Sequence, residues 1–513
     1  MFVIALDLRN IGCHAYIFDN TGSIIAHDFQ EWNSYCPIPT YLEQDPNEWW
    51  KSIKIAINST IKKSGIDCTE IVSISVANQR ETIVPVDKNG FSLCNAFLSG
   101  DRRANKEVEY IKEKLGSDKI YNTTGLKIDI HFSLPKILWL KNNKPEIYRN
   151  TYKFLLMSDF VINKLTGKYI TDFSNVSRTM LFDIKNLRYS DDIADELELD
   201  LDKMPQPVES GVDIGEIITD ETSLDKKTLV VTGAGDQQAA ALGVGVRCPG
   251  DIKSTTGKKS FLLAYLSEPI FDSKKRVLCS CHAIPGAWIQ EAIIPTTGSV
   301  LRWFRDELGT HKNQELDDEY EDQEDPYDIM TGLAEKSTIG ANGLLLIPNL
   351  QESGGLYRNH LSKGLLFGLT LVHKRKDLYR AILEGVAFEI RKNIEIFKEI
   401  GIDPIQLKLT GGASKSDLWN QITADIINTT CTRNIIEESA PLGAAILAVS
   451  GAGVFQNIAK AAESLCKIDK KYIPDEKNNN YYNKLYDFSL DLYNSINNKD
   501  LYKKFDEISK LKK

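Results

Sequence analysis

Residues 229–243, LVVTGAGDQQAAALG, place a short apolar run, a glycine-rich turn and an alanine-rich helical pattern in immediate succession. A strand that ends in a tight turn and feeds straight into a helix is the building step of an α/β fold. The turn also presents a single carboxylate, Asp236, followed by Gln237 and Gln238. An acid there has two uses. It can cap the helix, as Asp often does. Where a reacting group approaches the backbone closely, it can instead take a proton from a hydroxyl.

The same alternation runs along the chain. Strands are expected over residues 2–8, 14–18, 24–29 and 71–76, with a helix over 45–62. A second series follows, with strands over 251–256, 260–266, 288–294, 344–348 and 407–410 and helices over 378–397 and 418–427. Two halves of similar order predict a duplicated α/β unit around a central cleft, with ligands at the strand ends. A length of 513 residues suits two large domains, drawn here at 1–245 and 246–454, followed by a helical tail over 455–513. From about residue 467 the tail is rich in Asn, Lys and Tyr and is expected to pack over the second domain.

Composition narrows the partners. The net charge is −9 and the Lys and Arg residues are scattered, which argues against nucleic acid. The apolar start is too short for a signal peptide, and no apolar run approaches the roughly 20 residues that span a membrane. Nine cysteines show no disulfide framework, so the cytoplasm is the expected compartment. Cys279-Ser280-Cys281-His282 has no second matching pair and reads as a strand with alternating buried thiols rather than a metal site. The acidic run over 315–328 reads as solvated surface rather than a cation site.

Phosphoryl transfer needs a nucleotide pocket, donors around the moving phosphate, a metal ligand and a base. Thr410-Gly411-Gly412-Ala413-Ser414-Lys415-Ser416 ends one strand and opens a helix. Its adjacent glycines admit a flat ligand and its helix-start amides favour anions, although a plain strand–helix turn is written the same way. Asn78-Gln79-Arg80-Glu81-Thr82 follows a buried strand, where Arg can donate to and Glu accept from a hydroxylated ligand, or the two can form a salt-bridged turn. Ser99-Gly100-Asp101-Arg102-Arg103 offers another acid beside two bases. Asp7 ends the first strand, as an ordinary strand-end residue or as a ligand of Mg²⁺, usually through water.

These segments together resemble the FGGY carbohydrate kinases, a family that includes glycerol kinase, xylulokinase and the autoinducer kinases. The resemblance runs from residue 4 to about 454. It is most specific at Gly364-Leu365-Leu366-Phe367-Gly368-Leu369, with Asp377-Leu378 and Ala381-Ile382-Leu383-Glu384 at the family's spacing. It implies two duplicated ribonuclease H-like (actin/hexokinase-type) α/β domains flanking a central cleft. It also implies ATP as donor, Mg²⁺ as metal and a sugar or polyol as acceptor, and it leaves a homodimer open. By the same resemblance Asp236 would be the general base, and Arg80, Glu81, Asp101, His131 and Gln237 would line the acceptor site. Asn10, Lys258, Gly298, Gly411, Gly412 and Ser414 would lie on the nucleotide, and Asp7 would position Mg²⁺.

The chain departs from the family pattern at both phosphate loops. Where the family has Gly-Thr-Thr/Ser after the first acid, this chain has Leu8-Arg9-Asn10-Ile11-Gly12. Where it has Gly-Thr-Gly, this chain has Gly257-Lys258-Lys259. The family's Trp-Asp segment is replaced by Tyr357-Arg358-Asn359-His360. On the acceptor side, residues 78–82 look like glycerol kinase, Asp101 looks like the xylulokinase and autoinducer branches, and His131 stands where glycerol kinase has a Tyr. Two readings follow. Arg9, Lys258 and Lys259 replace amide and hydroxyl donors with cations that bind phosphate well. Alternatively, long side chains fill the phosphate cradle and leave a binding or regulatory protein.

Overall fold

The computed structural model describes residues 1–308, 325–350, 359 and 361–511. Residues 315–324 of the acidic run, and Tyr357, Arg358 and His360, lie outside the described residues. The chain forms two compact units. The first comprises Met1–Cys248, Tyr265–Gln290 and Glu438–Lys467, and the second Pro249–Ala264, Glu291–Glu437 and Ile468–Lys513.

In the first unit, β1 (Phe2–Arg9), β2 (Gly12–Asp19) and β3 (Ile24–Glu31) form an antiparallel meander. Helix α1 (Pro46–Ser64) covers one face of it, burying Trp49, Ile53 and Ile57 among Ile4, Leu6 and Ile17. Its ends are written in sequence. The Asp45 side chain accepts from the Asn47 amide, Pro46 opens the first turn, and Gly65 closes the helix at φ 67°. Strand β4 (Ile71–Asn78) lies parallel to β1 on its other side. Then come β5 (Asp213–Glu216), β6 (Leu229–Val231) and the short β7 (Ala234–Gly235), in the order β5-β6-β4-β1-β2-β3, with β7 also on β4. The parallel register aligns Asp7 with Ala77, and Gly235 with Asn78. The carboxyl ends of β1, β4 and β7 therefore meet on one edge of the sheet, where ligands of open α/β sheets bind.

Helix α2 (Met157–Thr166) carries a fully buried acid, Asp159, whose carboxylate accepts from the Leu156 amide at 2.8 Å and from Ser158 Oγ at 3.2 Å. Burial pushes its carboxyl up to about 7 from 3.8, against the help of those donors and aided by nearby Asp172. The folded protein thus binds a proton at Asp159 that the unfolded chain releases between about pH 4 and pH 7. Stability contributed by this site falls as pH rises through that window. We expect the thermal midpoint of the wild type to drop relative to Asp159→Asn between pH 5 and pH 7.5. Parallel pH profiles for the two proteins would contradict this.

Helix α3 (Asp236–Gly243) completes this segment, starting directly after the β7 turn. In the second unit, β8 (Asp251–Thr256) pairs antiparallel with β9 (Ser260–Leu266) and parallel with β10 (Gln406–Thr410), which pairs in turn with β11 (Thr430–Asn434). A hairpin beside parallel strands repeats the plan of the first unit. Helices α4 (Gly298–Leu308), α5 (Arg375–Glu399) and α6 (Asp417–Ile427) accompany this sheet.

After α7 (Ser439–Gly451), which belongs to the first unit, the tail is helical over Ile458–Leu465, Glu476–Asn498 and Leu501–Lys510, with one strand after the first of these. Its segment Ile468–Tyr472 is β12, an antiparallel edge strand on β11. Its two lysines, Lys470 and Lys471, are exposed, as suits an edge strand kept from pairing further. The helix Glu476–Asn498 then buries Tyr482, Tyr486 and Tyr493 in the second unit. Cys279 and Cys281 are buried on the strand Leu278–Cys281, while the His282 ring contacts the Val246 carbonyl and accepts from the Ala283 amide. Among the described residues no helix is long and apolar enough to cross a membrane.

Candidate active site

The edge where β1, β4 and β7 end gathers a set of paired charges. Asp236 stands in the first turn of α3 rather than at its cap, which is Gly235. Its Oδ1 accepts from the Gln237 amide at 2.7 Å and lies 3.4 Å from Arg80 Nε, while Gln237 Nε2 donates to Oδ2 at 3.3 Å. The side chain keeps 36% of its surface exposed. A carboxylate fixed by three donors yet open to solvent can accept a proton from an incoming hydroxyl.

Arg80 is itself held in place. It donates to Gln238 Oε1 at 3.3 Å and packs so close to Gly235 that a Cβ there would come within 2.7 Å of Arg80 Cδ. Glu81 adopts φ 67°, an uncommon left-handed conformation for this residue type. Such strain costs about 1–3 kcal/mol and persists where neighbours over-determine it. Here Ser133 Oγ and Lys136 Nζ donate to the Glu81 carbonyl at 3.1 and 3.4 Å, and Arg178 Nε donates to its carboxylate at 2.8 Å. Burial lowers the Lys136 ammonium to about 8 although Glu81, Asp101 and Asp129 oppose the shift.

The other acceptor-side residues lie in different surroundings. Asp101 is fully buried, and its oxygens accept from Arg103 Nε and Nη2 at 2.9 and 2.8 Å and from the Leu42 amide at 2.7 Å. Arg103 also pairs with Glu43 at 2.6 Å and lies against the Tyr41 and Phe97 rings. Asp101 therefore braces a wall. His131 is exposed, with Nδ1 2.5 Å from Asp129 Oδ1, and its carbonyl accepts from Lys136 at 2.6 Å.

Asp7 is 1% exposed at the end of β1. Its Oδ2 accepts from Arg9 Nε at 2.6 Å, and Arg9 Nη2 donates to Glu438 Oε2 at 3.2 Å. Burial raises the Asp7 carboxyl to about 6, although Arg9 pulls the other way. These surroundings do not fit a divalent ion held by Asp7, because a fixed guanidinium already occupies the carboxylate and would repel a second cation. Asn10 sits in the turn after β1, where its carbonyl accepts from Trp32 Nε1 and Gln44 Nε2 at 3.2 and 2.6 Å.

In the second unit, a cavity of about 350 Å³ opens beside the turn between β8 and β9. Lys258, Gly298, Arg302, Gly412, Lys415 and Trp419 are among its walls. Close backbone approach builds it. The Gly298 amide donates to the Gly257 carbonyl at 2.9 Å, and a Cβ on Gly298 would meet that oxygen at 2.4 Å. Gly411, at φ 87°, passes so near the Thr256 carbonyl that its Cβ would come within 2.7 Å. Ser414 turns its hydroxyl back to the Gly411 carbonyl at 2.7 Å, so these two residues shape the turn while Gly412 faces the cavity. The buried Ser299 hydroxyl has no partner among the described residues, and neither has the Thr255 hydroxyl on β8. Ser299 lines the same cavity. The unsatisfied Ser299 hydroxyl beside glycine-lined backbone and the Lys258 ammonium fits an anionic, phosphate-bearing ligand, while Arg302 and Lys415 on the same walls pair with Asp306 and Glu437, and Asp325 and Asp328 also line the cavity.

Sequence reasoning did not single out Arg178, Lys136, Arg302 or Glu438. Arg178 reaches Glu81, and Glu438 reaches Arg9, from distant chain positions that no local spacing marks.

Two α/β units, one with a braced carboxylate at its strand ends and the other with a phosphate-suited cavity, define a phosphotransferase. The sequence matches the family model described as the N-terminal domain of the FGGY family of carbohydrate kinases over residues 2–243, and the C-terminal domain model over 253–452. The chain belongs to the FGGY family of carbohydrate kinases. It is 29% identical over 495 residues to a xylulose kinase of Bacillus subtilis, covering 96% of both chains. It is 33% identical to a glycerol kinase of Caldanaerobacter subterraneus, covering 94% of this chain and 96% of that one. Its fold matches a ligand-bound xylulose kinase from Lactobacillus acidophilus with TM-score 0.87 at 22% identity, over 98% and 99% of the two chains.

Proposed function

We propose that this carbohydrate kinase transfers the terminal phosphoryl group of ATP to a hydroxyl of a sugar or polyol, with Asp236 as general base. The observation that carries the reading is the Asp236 carboxylate, open on one side and fixed on the other by Arg80 and Gln237. As the acceptor oxygen attacks phosphorus, its proton passes to Asp236 and the bond to the bridging oxygen breaks, releasing ADP. Arg80 keeps the base in position. Arg80, Glu81 and Gln237 offer donors and acceptors to the acceptor's hydroxyls, and Arg178 and Lys136 fix Glu81. Lys258, Gly298, Ser299 and Gly412 receive the nucleotide.

The relatives named above act, by name, on xylulose and on glycerol, so a pentulose or a triol is the expected acceptor class. Incubation with magnesium ATP and a panel of glycerol, pentuloses and related polyols, read as acceptor-dependent ADP, tests the reading. No acceptor raising ADP formation above an Asp236→Ala control would overturn it.

Lys258 takes the place of a hydroxyl donor with an ammonium beside the cavity. Lys258→Ala is expected to raise KM for ATP about ten- to a hundredfold, as for the loss of a charge-assisted contact of roughly 1.5–3 kcal/mol, while KM for the acceptor stays put. An unaltered KM for ATP would place this ammonium away from the phosphates.

A further inference from the structure

The charges at the first unit's strand edge are compensated from within. Arg80 lies between Asp236 and Glu81, Arg178 pairs with Glu81, and Arg9 lies between Asp7 and Glu438. The last of these follows from strand geometry. Side chains two residues apart on a strand point to the same face, so a long cation at position 9 of β1 folds directly onto the carboxylate at position 7. Only a residue with this reach can do so, and a small residue would leave Asp7 a bare buried carboxylate. Glu438, directly before α7, receives the other arm of the fork. The guanidinium is thus held from two elements. It remains 43% exposed, and its Nη1 has no hydrogen-bond partner among the described residues.

We infer that Arg9 is a tethered cation that replaces a protein-held divalent ion at Asp7. The inference stands on the Asp7–Arg9–Glu438 geometry. A guanidinium neutralises the carboxylate as an ion would, and it does so permanently, without competition from cytosolic ion levels. A divalent ion then enters only as part of the nucleotide complex.

Titration of the nucleotide-free protein with Mn²⁺, followed by the electron paramagnetic resonance signal of the free aqueous ion, separates this from the kinase question. The wild type should bind no Mn²⁺ at this edge. Arg9→Gly should gain one site, tighter by about tenfold or more than anything in the wild type, and the site should vanish in the Asp7→Asn/Arg9→Gly double variant. Arg9→Gln, which keeps a hydrogen bond to Asp7 without charge, should behave like Arg9→Gly and serves if the glycine variant fails to fold. Wild-type Mn²⁺ binding that Asp7→Asn abolishes would overturn the inference. So would the absence of a gained site in both Arg9 variants. Neither result depends on turnover. If the kinase reading failed instead, no acceptor would be phosphorylated by any of these proteins, whatever the Mn²⁺ titrations showed.

Discussion

Asp236→Ala is expected to lower kcat by about 10³-fold or more, the upper part of the range for a positioned general base, with KM for ATP little altered. The size of the effect follows from where the carboxylate stands. It is braced by Arg80 at 3.4 Å and by the Gln237 amide at 2.7 Å, so it loses little freedom when the acceptor arrives. Among the described residues, neither Asp7 nor Glu81 at that edge is open to substitute. Asp7 is closed by Arg9, and Glu81 is held by Arg178. Removing Asp236 leaves Arg80 still paired toward Glu81 at 3.8 Å, so the variant should fold. Its thermal midpoint should stay within about 2 °C, as for a partly exposed side chain worth about 0.5 kcal/mol or less. Asp236→Asn, which keeps the shape and one acceptor oxygen, should be nearly as slow as the alanine variant. An asparagine variant within about tenfold of wild type would mean that Asp236 orients the acceptor and takes no proton.

Gly443→Ala is expected to be among the most damaging single methyl groups in the first unit. Helices α3 and α7 cross with their backbones in contact. A Cβ on Gly443 would come within 1.9 Å of the Ala239 carbonyl oxygen, and one on Gly243 within 1.9 Å of the Ser439 carbonyl oxygen. Backbone meets backbone, so no side chain can swing away. The helices must part by more than an ångström, with a cost of about 3 kcal/mol, at the upper end for overpacking. Ala239 is one turn from Asp236 and Glu438 directly precedes α7, so the same displacement moves the base and the anchor of Arg9. Chemical denaturation should show the lost stability, and turnover should fall even in the folded fraction. Gly332→Ala is the control. It lies in the helix Pro326–Glu335 with nothing within 4 Å of its Cβ, and should gain roughly 0.5–1 kcal/mol from helix propensity. Equal effects of the two substitutions would show that the α3–α7 crossing is not as close as described.

The elements that carry the site were legible where the physics is local. The 229–243 stretch announced its strand, turn and helix because apolar run, glycine and alanine-rich helix each act within a few residues. The first meander and α1 were legible for the same reason, with Asp45, the first residue of the expected helix, standing as its cap. Segment Ile468–Tyr472 was not, because its order comes from pairing with Thr430–Asn434 rather than from its own polar, lysine-rich composition. Of the charged candidates, Asp101 was visible as an acid beside two bases. Only the fold shows that the second of them, Arg103, closes on it together with Glu43. Arg9 stood out as a bulky residue in a phosphate turn, but its partner Glu438 lies 429 residues away and no spacing announces it. The family match fixes the kind of chemistry.

Mass spectrometry of the acceptor after incubation with magnesium ATP tests the central claim most directly. The account predicts that at least one sugar or polyol gains a single phosphoryl group, with one ADP released per product and formation by Asp236→Ala slower by about 10³-fold or more. Hydrolysis of ATP without acceptor phosphorylation, or product formed at equal rates by wild type and Asp236→Ala, would contradict it.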